Sequence, residues 1–393
     1  MIDEQQTPGP LHGLIVVDFS RVLAGPFATV LLADLGARVI KIEPPTGDDY
    51  RHIGPFIGKE SVLFAFANRG KESISLDLKK PDDLAFVIGL TMHADIVVEN
   101  FRPGVAQKLG IGADMLMKKN ERLIYASISG FGQSGPMRER PAYDIIVQAL
   151  TGLMSVTGDP DGPPTMVGEA FGDLTAGLFA SWAILAALHQ RERTGRGCLI
   201  DLAMFDALLS MMPTATCRYV ATGRVPERVG NRHPLSAPFG AFRTGDGYVV
   251  VAVLNEKLFE QFCHVIGRTE LLSDARFVSD STRTENESVL REAFEQWSAA
   301  YTTAEVVALL STAGVPAAAI ANVGAAVDSE HAMARNLFRN ATLGGSTLRV
   351  PEQPAIFSTV SRGTPTHVPS LDEHSGRIRE WLRKTAESRN GKI

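Results

Sequence analysis

Leu14-Ile15-Val16-Val17-Asp18 and Val39-Ile40-Lys41-Ile42-Glu43 are two short β-branched runs that flank a helix-length segment at 27–35. Runs of this length and composition predict buried strands, and a helix between two of them predicts a βαβ unit with its strands parallel. The pattern continues outward through Ser73-Ile74-Ser75-Leu76, Ile96-Val97-Val98-Glu99 and Leu123-Ile124-Tyr125-Ala126-Ser127-Ile128, each separated by enough chain for a helix. Near-continuous apolar strands alternating with helices predict an α/β fold with a doubly wound, mainly parallel sheet covered on both faces. A further helix at 174–190 ends at Thr194-Gly195-Arg196-Gly197, whose glycines suit a helix stop, and the strand Cys198-Leu199-Ile200-Asp201-Leu202 follows.

After Met211-Met212-Pro213 the chain changes character. Gly and Arg concentrate through Arg228-Val229-Gly230-Asn231-Arg232-His233-Pro234, then a strand at 248–254 precedes amphipathic helices near 256–266, 287–300 and 303–313. Three segments follow: 1–215 as a first large domain, 225–330 as a smaller α+β domain closed by a strand from Val315-Pro316-Ala317 to position 320, and 336–393 as a C-terminal segment. That last segment carries Leu348-Arg349-Val350 and a helix at 378–384.

With 393 residues, 45% of them hydrophobic, the chain can bury a large core. A net charge of −5 argues against a general nucleic-acid or membrane-surface binder, which needs a positive field over a whole face. Any anionic ligand must then be held by a few local cations. The three cysteines, Cys198, Cys217 and Cys263, are far apart and form no CxxC or Cys/His pattern, so neither disulfides nor a structural zinc is expected. Asp3, Glu4 and an early Pro-Gly-Pro do not make a signal peptide. The apolar stretch at 176–188 is interrupted by Ser181 and is too short to cross a bilayer, so it predicts a buried helix. A cytoplasmic enzyme is expected.

Gly130-Phe131-Gly132-Gln133-Ser134-Gly135 fits GxGxxG after a strand, but Pro136 and Arg138-Glu139-Arg140 follow where a dinucleotide site needs a helix to begin. The segment instead predicts a loop at a strand's C-terminal end, where doubly wound sheets bind ligands. Asp173, in Gly172-Asp173-Leu174-Thr175-Ala176-Gly177, stands before an apolar helix and reads as its N-cap, a role compatible with a second one as an ionised carboxylate nucleophile. Arg102, Lys108, Arg69 and Lys71 flank strand ends and read first as solvated surface cations. His233 beside Arg232 marks a polar turn. No paired-His metal motif, Walker loop or GxSxG elbow is present, and no metal is expected.

The same segments resemble the family III CoA transferases, the family of formyl-CoA and carnitine CoA transferases. The likeness rests on Val17-Asp18-Phe19-Ser20 with Ala24-Gly25-Pro26, and on Leu35-Gly36-Ala37-Arg38-Val39-Ile40-Lys41-Ile42-Glu43. It continues through Val98-Glu99-Asn100-Phe101-Arg102-Pro103-Gly104, the glycine loop at 130–136, Tyr143-Asp144 with Gln148-Ala149, Gly172-Asp173, and Thr194-Gly195-Arg196-Gly197. It implies an interlocked-ring homodimer whose subunits each have a Rossmann-like large domain built from both chain ends and a small domain between them. Asp173 is then the nucleophile that carries CoA as an aspartyl thioester. Coenzyme A and acyl-CoA enter as substrates, with no permanently bound cofactor. The resemblance places CoA against Val22, Leu23, Ser75, Leu76, Asn100, Phe101, Arg102 and Lys108, and the acyl group near Tyr143, Arg232 and His233.

The sequence departs from the family in places. Lys108 stands where some members have arginine, and Pro44 where an arginine often follows the second strand, leaving Arg38 or Arg51 as substitutes. Leu23 replaces the glutamine of formyl-CoA transferases, a run of glycines is missing, and Asn231-Arg232-His233-Pro234 occupies that region. Oxalate is therefore a poor fit, and a C4 to C6 dicarboxylate held by Arg232 or His233 fits better. Two alternatives remain. A related 2-methylacyl-CoA racemase needs a histidine where Tyr143 stands, and a phenol, which ionises near pH ~10, is a poor base at neutral pH. A non-catalytic CoA-binding protein would not need Asp173.

Overall fold

The computed structural model describes residues 9–360 and 363–390, so Asp3 and Glu4 lie outside the described residues. Contacts divide the chain into two compact units, one of residues 1–153, 166–217 and 330–393, the other of residues 154–165 and 218–329.

The larger unit is built on a six-stranded parallel sheet: β1 (Ile15–Asp18), β2 (Arg38–Glu43), β3 (Glu72–Ser75), β4 (Ile96–Glu99), β5 (Ile124–Ser129) and β6 (Leu199–Ala203). Their spatial order is β3-β2-β1-β4-β5-β6. Strand alternation splits the apolar runs between two cores. Val16, Val39, Val98, Ala126 and Ile128 face α1 (Ala24–Asp34) and the long helix α5 (Phe171–Thr194). Val17, Ile40, Ile74, Val97 and Tyr125 face α2 (Pro81–Thr91) and α3 (Ala113–Lys119). The C-terminal helix α9 (Ser375–Asn390) places Ile378, Trp381 and Leu382 in that second core. The α/β expectation therefore holds, with the strand runs falling within about one residue of their expected positions.

In the smaller unit, Phe239–Arg243, Tyr248–Ala252 and Ala317–Ala319 form an antiparallel sheet. Helices α6 (Glu256–Val265), α7 (Glu287–Ser298) and α8 (Thr303–Thr312) pack Phe259, Phe262, Phe294 and Leu310 against Phe242, Val249 and Val251.

The helix at 171–194 departs from its expected form. It has 24 residues and is long and apolar enough to cross a membrane. Burial identifies it as a core helix, because half of its apolar window packs inside the protein. Leu178, Trp182 and Leu185, at helical spacing, remain exposed on its other face.

A second departure concerns charge. Lys71 and Arg69, read as surface cations, are buried. Lys71 Nζ lies 3.0 Å from Asp18 Oδ2, Lys41 Nζ lies 2.8 Å from Asp48 Oδ2, and Arg69 pairs with Asp34 at 2.6 Å. Burial alone would raise the Asp18 carboxyl, but Lys71 and Lys41 hold it down at about 2, so it stays charged. Removing one partner of a buried pair leaves the other uncompensated. Lys71→Met is expected to destabilise the protein by about 3–5 kcal/mol in urea unfolding, whereas a loss below about 1 kcal/mol, typical of exposed pairs, would show that the pair is solvated.

Candidate active site

In the order β3-β2-β1-β4-β5-β6 the chain reverses direction of growth between β1 and β4. The loops leaving the C-terminal ends of these strands diverge, and the crevice they leave is where open α/β sheets bind ligands. The loop after β1 contains Val22, and the loop after β4 contains Asn100, Phe101 and Arg102. Asn100 ties the two together, accepting the Arg21 amide at 2.9 Å and donating to the Arg21 carbonyl at 2.8 Å. Val22, a β-branched residue, sits at φ 67°, a left-handed conformation that costs about 1–2 kcal/mol. Its amide donates to Asp48 Oδ1 at 3.0 Å.

Asp173 reaches this crevice because α5 packs closely on α1. A Cβ on Gly177 would lie 2.7 Å from the Ala24 carbonyl oxygen, so only glycine permits the approach. Asp173 is one turn earlier on the same face, and its carboxylate shares the cavity wall with Ala24, whose amide is near enough to favour the charged form. It is not the N-cap. The helix starts at Phe171, which puts Asp173 in the first turn, and the cap comes from elsewhere in the chain. Asp144, first residue of α4 (Asp144–Leu150), accepts the Gly172 amide at 2.6 Å and the Asp173 amide at 3.4 Å. The buried Gln148 supports this cap by donating to Asp144 Oδ2 at 2.7 Å and to the Glu169 carbonyl at 3.1 Å. A local cap would have consumed the Asp173 carboxylate; capping by Asp144 leaves it facing the crevice.

The crevice holds a cavity of about 180 Å³ whose walls include Val22, Asn100, Phe101, Arg102, Tyr143 and Asp173. Six of the sequence-derived site residues thus meet around one space. Arg21, Arg138 and Arg140 also line it, and sequence reasoning gave none of them a role. Arg21 lies 3.6 Å from Asp49, and Arg138 lies 3.2 Å from Glu139. A second cavity, of about 320 Å³, is bordered by Leu76, Phe101, Pro44, Lys79, Val105 and Leu109. Phe101 belongs to both. Leu23 and Ser75 lie next to lining residues, and Lys108 is exposed between Val105 and Leu109. Arg232 and His233 belong to the smaller unit, where Arg232 lies 3.8 Å from Glu287 and the His233 ring stacks on Phe239 at 4.9 Å.

Neither proposed substitute for the arginine missing at Pro44 is free. Arg38 forms a two-pronged contact with Glu72 and lies over Trp381. Arg51 grips Glu43 with two bonds of 2.7 Å and covers Phe64. Both are committed to the scaffold by bidentate pairing, the geometry arginine favours. The glycine loop after β5 begins no helix: its Gln133 amide is held by the Asp201 carboxylate at 3.0 Å, and the next helix starts at Asp144. The loop thus lacks the helix of its own that a dinucleotide fingerprint needs directly after its glycines.

Among the described residues, His367, Glu373 and His374 are close enough to share a metal ion. His374 Nδ1 accepts the Ser73 amide at 3.2 Å, which leaves the proton on Nε2 and makes that nitrogen a donor rather than a ligand.

Asp173 is electrostatically unusual. The sequence suggested a carboxylate kept ionised by its helix. Instead, burial first and the Asp144 carboxylate second push it up to about 7, opposed only by the Ala24 amide. Glu99, buried at the end of β4 and bonded to Ser127 and the Phe101 amide, is also pushed to about 7, mainly by burial. Perturbed carboxyl groups in a cleft at a topological switch point mark a functional site.

A doubly wound α/β fold with a half-buried, poised carboxylate and several arginines at its switch point defines a protein that handles anionic ligands. Residues 11–375 match CoA-transferase family III, and the chain belongs to that family of enzymes. It is 44% identical over 375 residues to acetyl-CoA:oxalate CoA-transferase of Acetobacter aceti, covering 95% of both chains. Against succinyl-CoA:mesaconate CoA-transferase of Haloarcula hispanica it is 36% identical over 381 residues, covering 94% of this chain and 96% of that one. The crystal structure of a CAIB/BAIF family protein from Brucella suis superposes with a TM-score of 0.85 at 36% identity, over 96% of this chain and all of that one.

Were Asp173 to act as a nucleophile in its ionised form, the acylation rate would rise with pH through about 7. Glu99 titrates in the same range but does not feel Asp144. Asp144→Asn keeps an acceptor for the Gly172 amide while removing the neighbouring charge, so it should move the single-turnover profile to lower pH. An unmoved midpoint would show that Asp173 does not control it.

Proposed function

We propose that this enzyme moves CoA from an acyl-CoA donor to a short dicarboxylate acceptor, with Asp173 as covalent carrier. The observation that carries this reading is the Asp173 carboxyl in the arginine-lined cavity, left open to it because Asp144 caps the helix start, with the Ala24 amide beside it. Asp173 attacks the thioester carbonyl, and the tetrahedral adduct collapses by breaking the C–S bond, so that CoA leaves as a thiolate and a mixed anhydride of Asp173 and the acyl group remains. The thiolate then attacks the Asp173 carbonyl, releasing the donor acid and leaving an aspartyl-CoA thioester. The acceptor carboxylate reverses the sequence. Each step passes through an oxyanion, which the Ala24 amide is placed to stabilise.

In this reading the nucleotide end of CoA occupies the cavity bordered by Leu76, Phe101 and Lys79, with Ser75, Leu23 and Lys108 at its edges. Lys79 is exposed there beside Pro44 and supplies a cation for a phosphate. Val22, Asn100 and Arg102 lead the pantetheine arm towards Asp173. Tyr143 borders the acyl group, a position that favours transfer over the racemase alternative because a phenol is a weak base. Arg232 and His233 remain candidates for the distal carboxylate, although Glu287 already competes for Arg232. Relatives named for oxalate and mesaconate bring two acceptor sizes into play, so oxalate returns as a second reading beside the C4 to C6 acids.

The reading is tested by assaying acetyl-, succinyl- and glutaryl-CoA against oxalate, succinate, mesaconate and glutarate. Transfer to at least one dicarboxylate well above monocarboxylates is expected. Asp173→Ala should abolish all transfer while still binding CoA, and Arg232→Met should weaken dicarboxylates selectively. Full turnover by Asp173→Ala would reject the mechanism.

The same reading makes the enzyme a cytoplasmic homodimer of interlocked rings, with segments 1–215 and 336–393 forming the large domain around 225–330. The exposed Leu178, Trp182 and Leu185 on α5, with Ile145, Ile146 and Leu150 on α4, offer the apolar surface that an obligate dimer buries. Sedimentation should give a dimer that persists on dilution; a monomer at every concentration would reject this assembly.

A further inference from the structure

We propose that Asp48 is a positioning residue that holds the strained turn at Val22, so that the Ala24 amide meets the Asp173 carboxylate. The inference rests on Asp173 being the nucleophile. Asp48 does not line the cavity that holds Asp173 and, in the proposed mechanism, touches no reacting atom; it lies in the wall of the second cavity but is almost completely buried there.

The geometry runs from the sheet outward. The Asp48 amide is fixed by Glu43 Oε2 at 3.0 Å, at the end of β2. Asp48 Oδ2 is held by the buried Lys41 Nζ at 2.8 Å. That leaves Oδ1, which accepts two amides, from Val22 and from Tyr50, each at 3.0 Å. Val22 lies between this anchor and the Arg21–Asn100 clamp. Valine avoids the left-handed region because its branched Cβ crowds the backbone, and such conformations persist only where the surroundings over-determine them. Two residues beyond Val22 the chain enters α1 at Ala24, whose amide meets Asp173. If the turn relaxed to a normal conformation, the Ala24 amide would swing away from a carboxylate that cannot follow, because Gly177 already locks α5 against the Ala24 carbonyl.

Three variants separate this role from a structural one. Asp48→Ala removes the acceptor, and the single-turnover acylation rate should fall by about ten- to a hundred-fold, the effect of misplacing a catalytic group by a fraction of an ångström to one ångström. The KM for acyl-CoA should change far less. Asp48→Asn breaks the ion pair with Lys41 just as completely but keeps an acceptor oxygen, so it should retain most of the rate. In a Val22→Gly background, where the left-handed conformation is free of strain, Asp48→Ala should cost no more than about three-fold. Equal losses in Asp48→Asn and Asp48→Ala, or the same loss with and without glycine at position 22, would overturn the proposal. Should Asp48→Ala fail to fold, the series is run with Lys41→Met, which removes the orphaned cation. Each sample is also treated with acyl-CoA and its Asp173 peptide weighed. Absence of a wild-type adduct would overturn the nucleophile assignment and this proposal with it; an adduct formed at wild-type rate in Asp48→Ala would overturn the positioning role alone.

Discussion

Charges that cannot reach water govern the C-terminal edge of the sheet. Asp18, Lys71, Lys41, Asp48 and Glu43 are all essentially buried, and each meets a partner at hydrogen-bond distance: Lys71 on Asp18, Lys41 on Asp48, Arg51 on Glu43. Buried ions in low dielectric are tolerated only when paired and further hydrogen-bonded. Lys71 also donates to the Pro26 carbonyl and to Asn68, and Lys41 to the Ser20 carbonyl. The network therefore fixes loops as well as charges. It crosses from β1 to β2 and on to the segment entering β3, so the turn leading into α1 inherits its position from several strands at once.

That fixed turn gives the site its particular electrostatics. Helix α5 can approach α1 only at Gly177, and its first turn is capped from α4 by Asp144. The cap stabilises the helix start, but it also places a second carboxylate beside Asp173. The arrangement exchanges a strongly acidic aspartate for one that ionises near neutrality. A carboxylate of higher basicity is a better nucleophile towards a thioester, and one raised mainly by burial is poorly solvated, which removes part of the cost of shedding water before attack. The arginines around the cavity supply positive charge of the sign that the family's anionic substrates, an acyl-CoA and a carboxylate, call for.

Much of this was legible in the sequence because a parallel sheet buried on both faces requires continuous apolar runs, and six such runs are present. Asp173 could be placed beside a helix start because glycines surround it. What local reading could not supply were partners distant in sequence. Asp173 looked like its own helix's cap because nothing near it reveals that Asp144, 29 residues earlier, takes that role. Lys71 looked solvated because lysine usually is, and its partner Asp18 is 53 residues away. Arg38 and Arg51 looked available for phosphate for the same reason. Asp48 gave no signal at all, since a Gly-Asp-Asp turn is ordinary until its carboxylate is seen on a left-handed valine. The apolar segment at 176–188 read as a buried helix, but it gave neither the helix's full 24 residues nor its exposed stripe, because the apolar run is shorter than the helix and hydropathy does not say which face is covered.

The central claim is that Asp173 carries the acyl group and then CoA as covalent intermediates. Its most direct test is to mix the enzyme with succinyl-CoA without acceptor, quench in acid, and weigh the intact protein and its proteolytic peptides. The account predicts a CoA-sized mass increase on the single peptide containing Asp173, discharged on adding a dicarboxylate. An adduct mapping to another residue, or turnover with no covalent species at any time point, would contradict it.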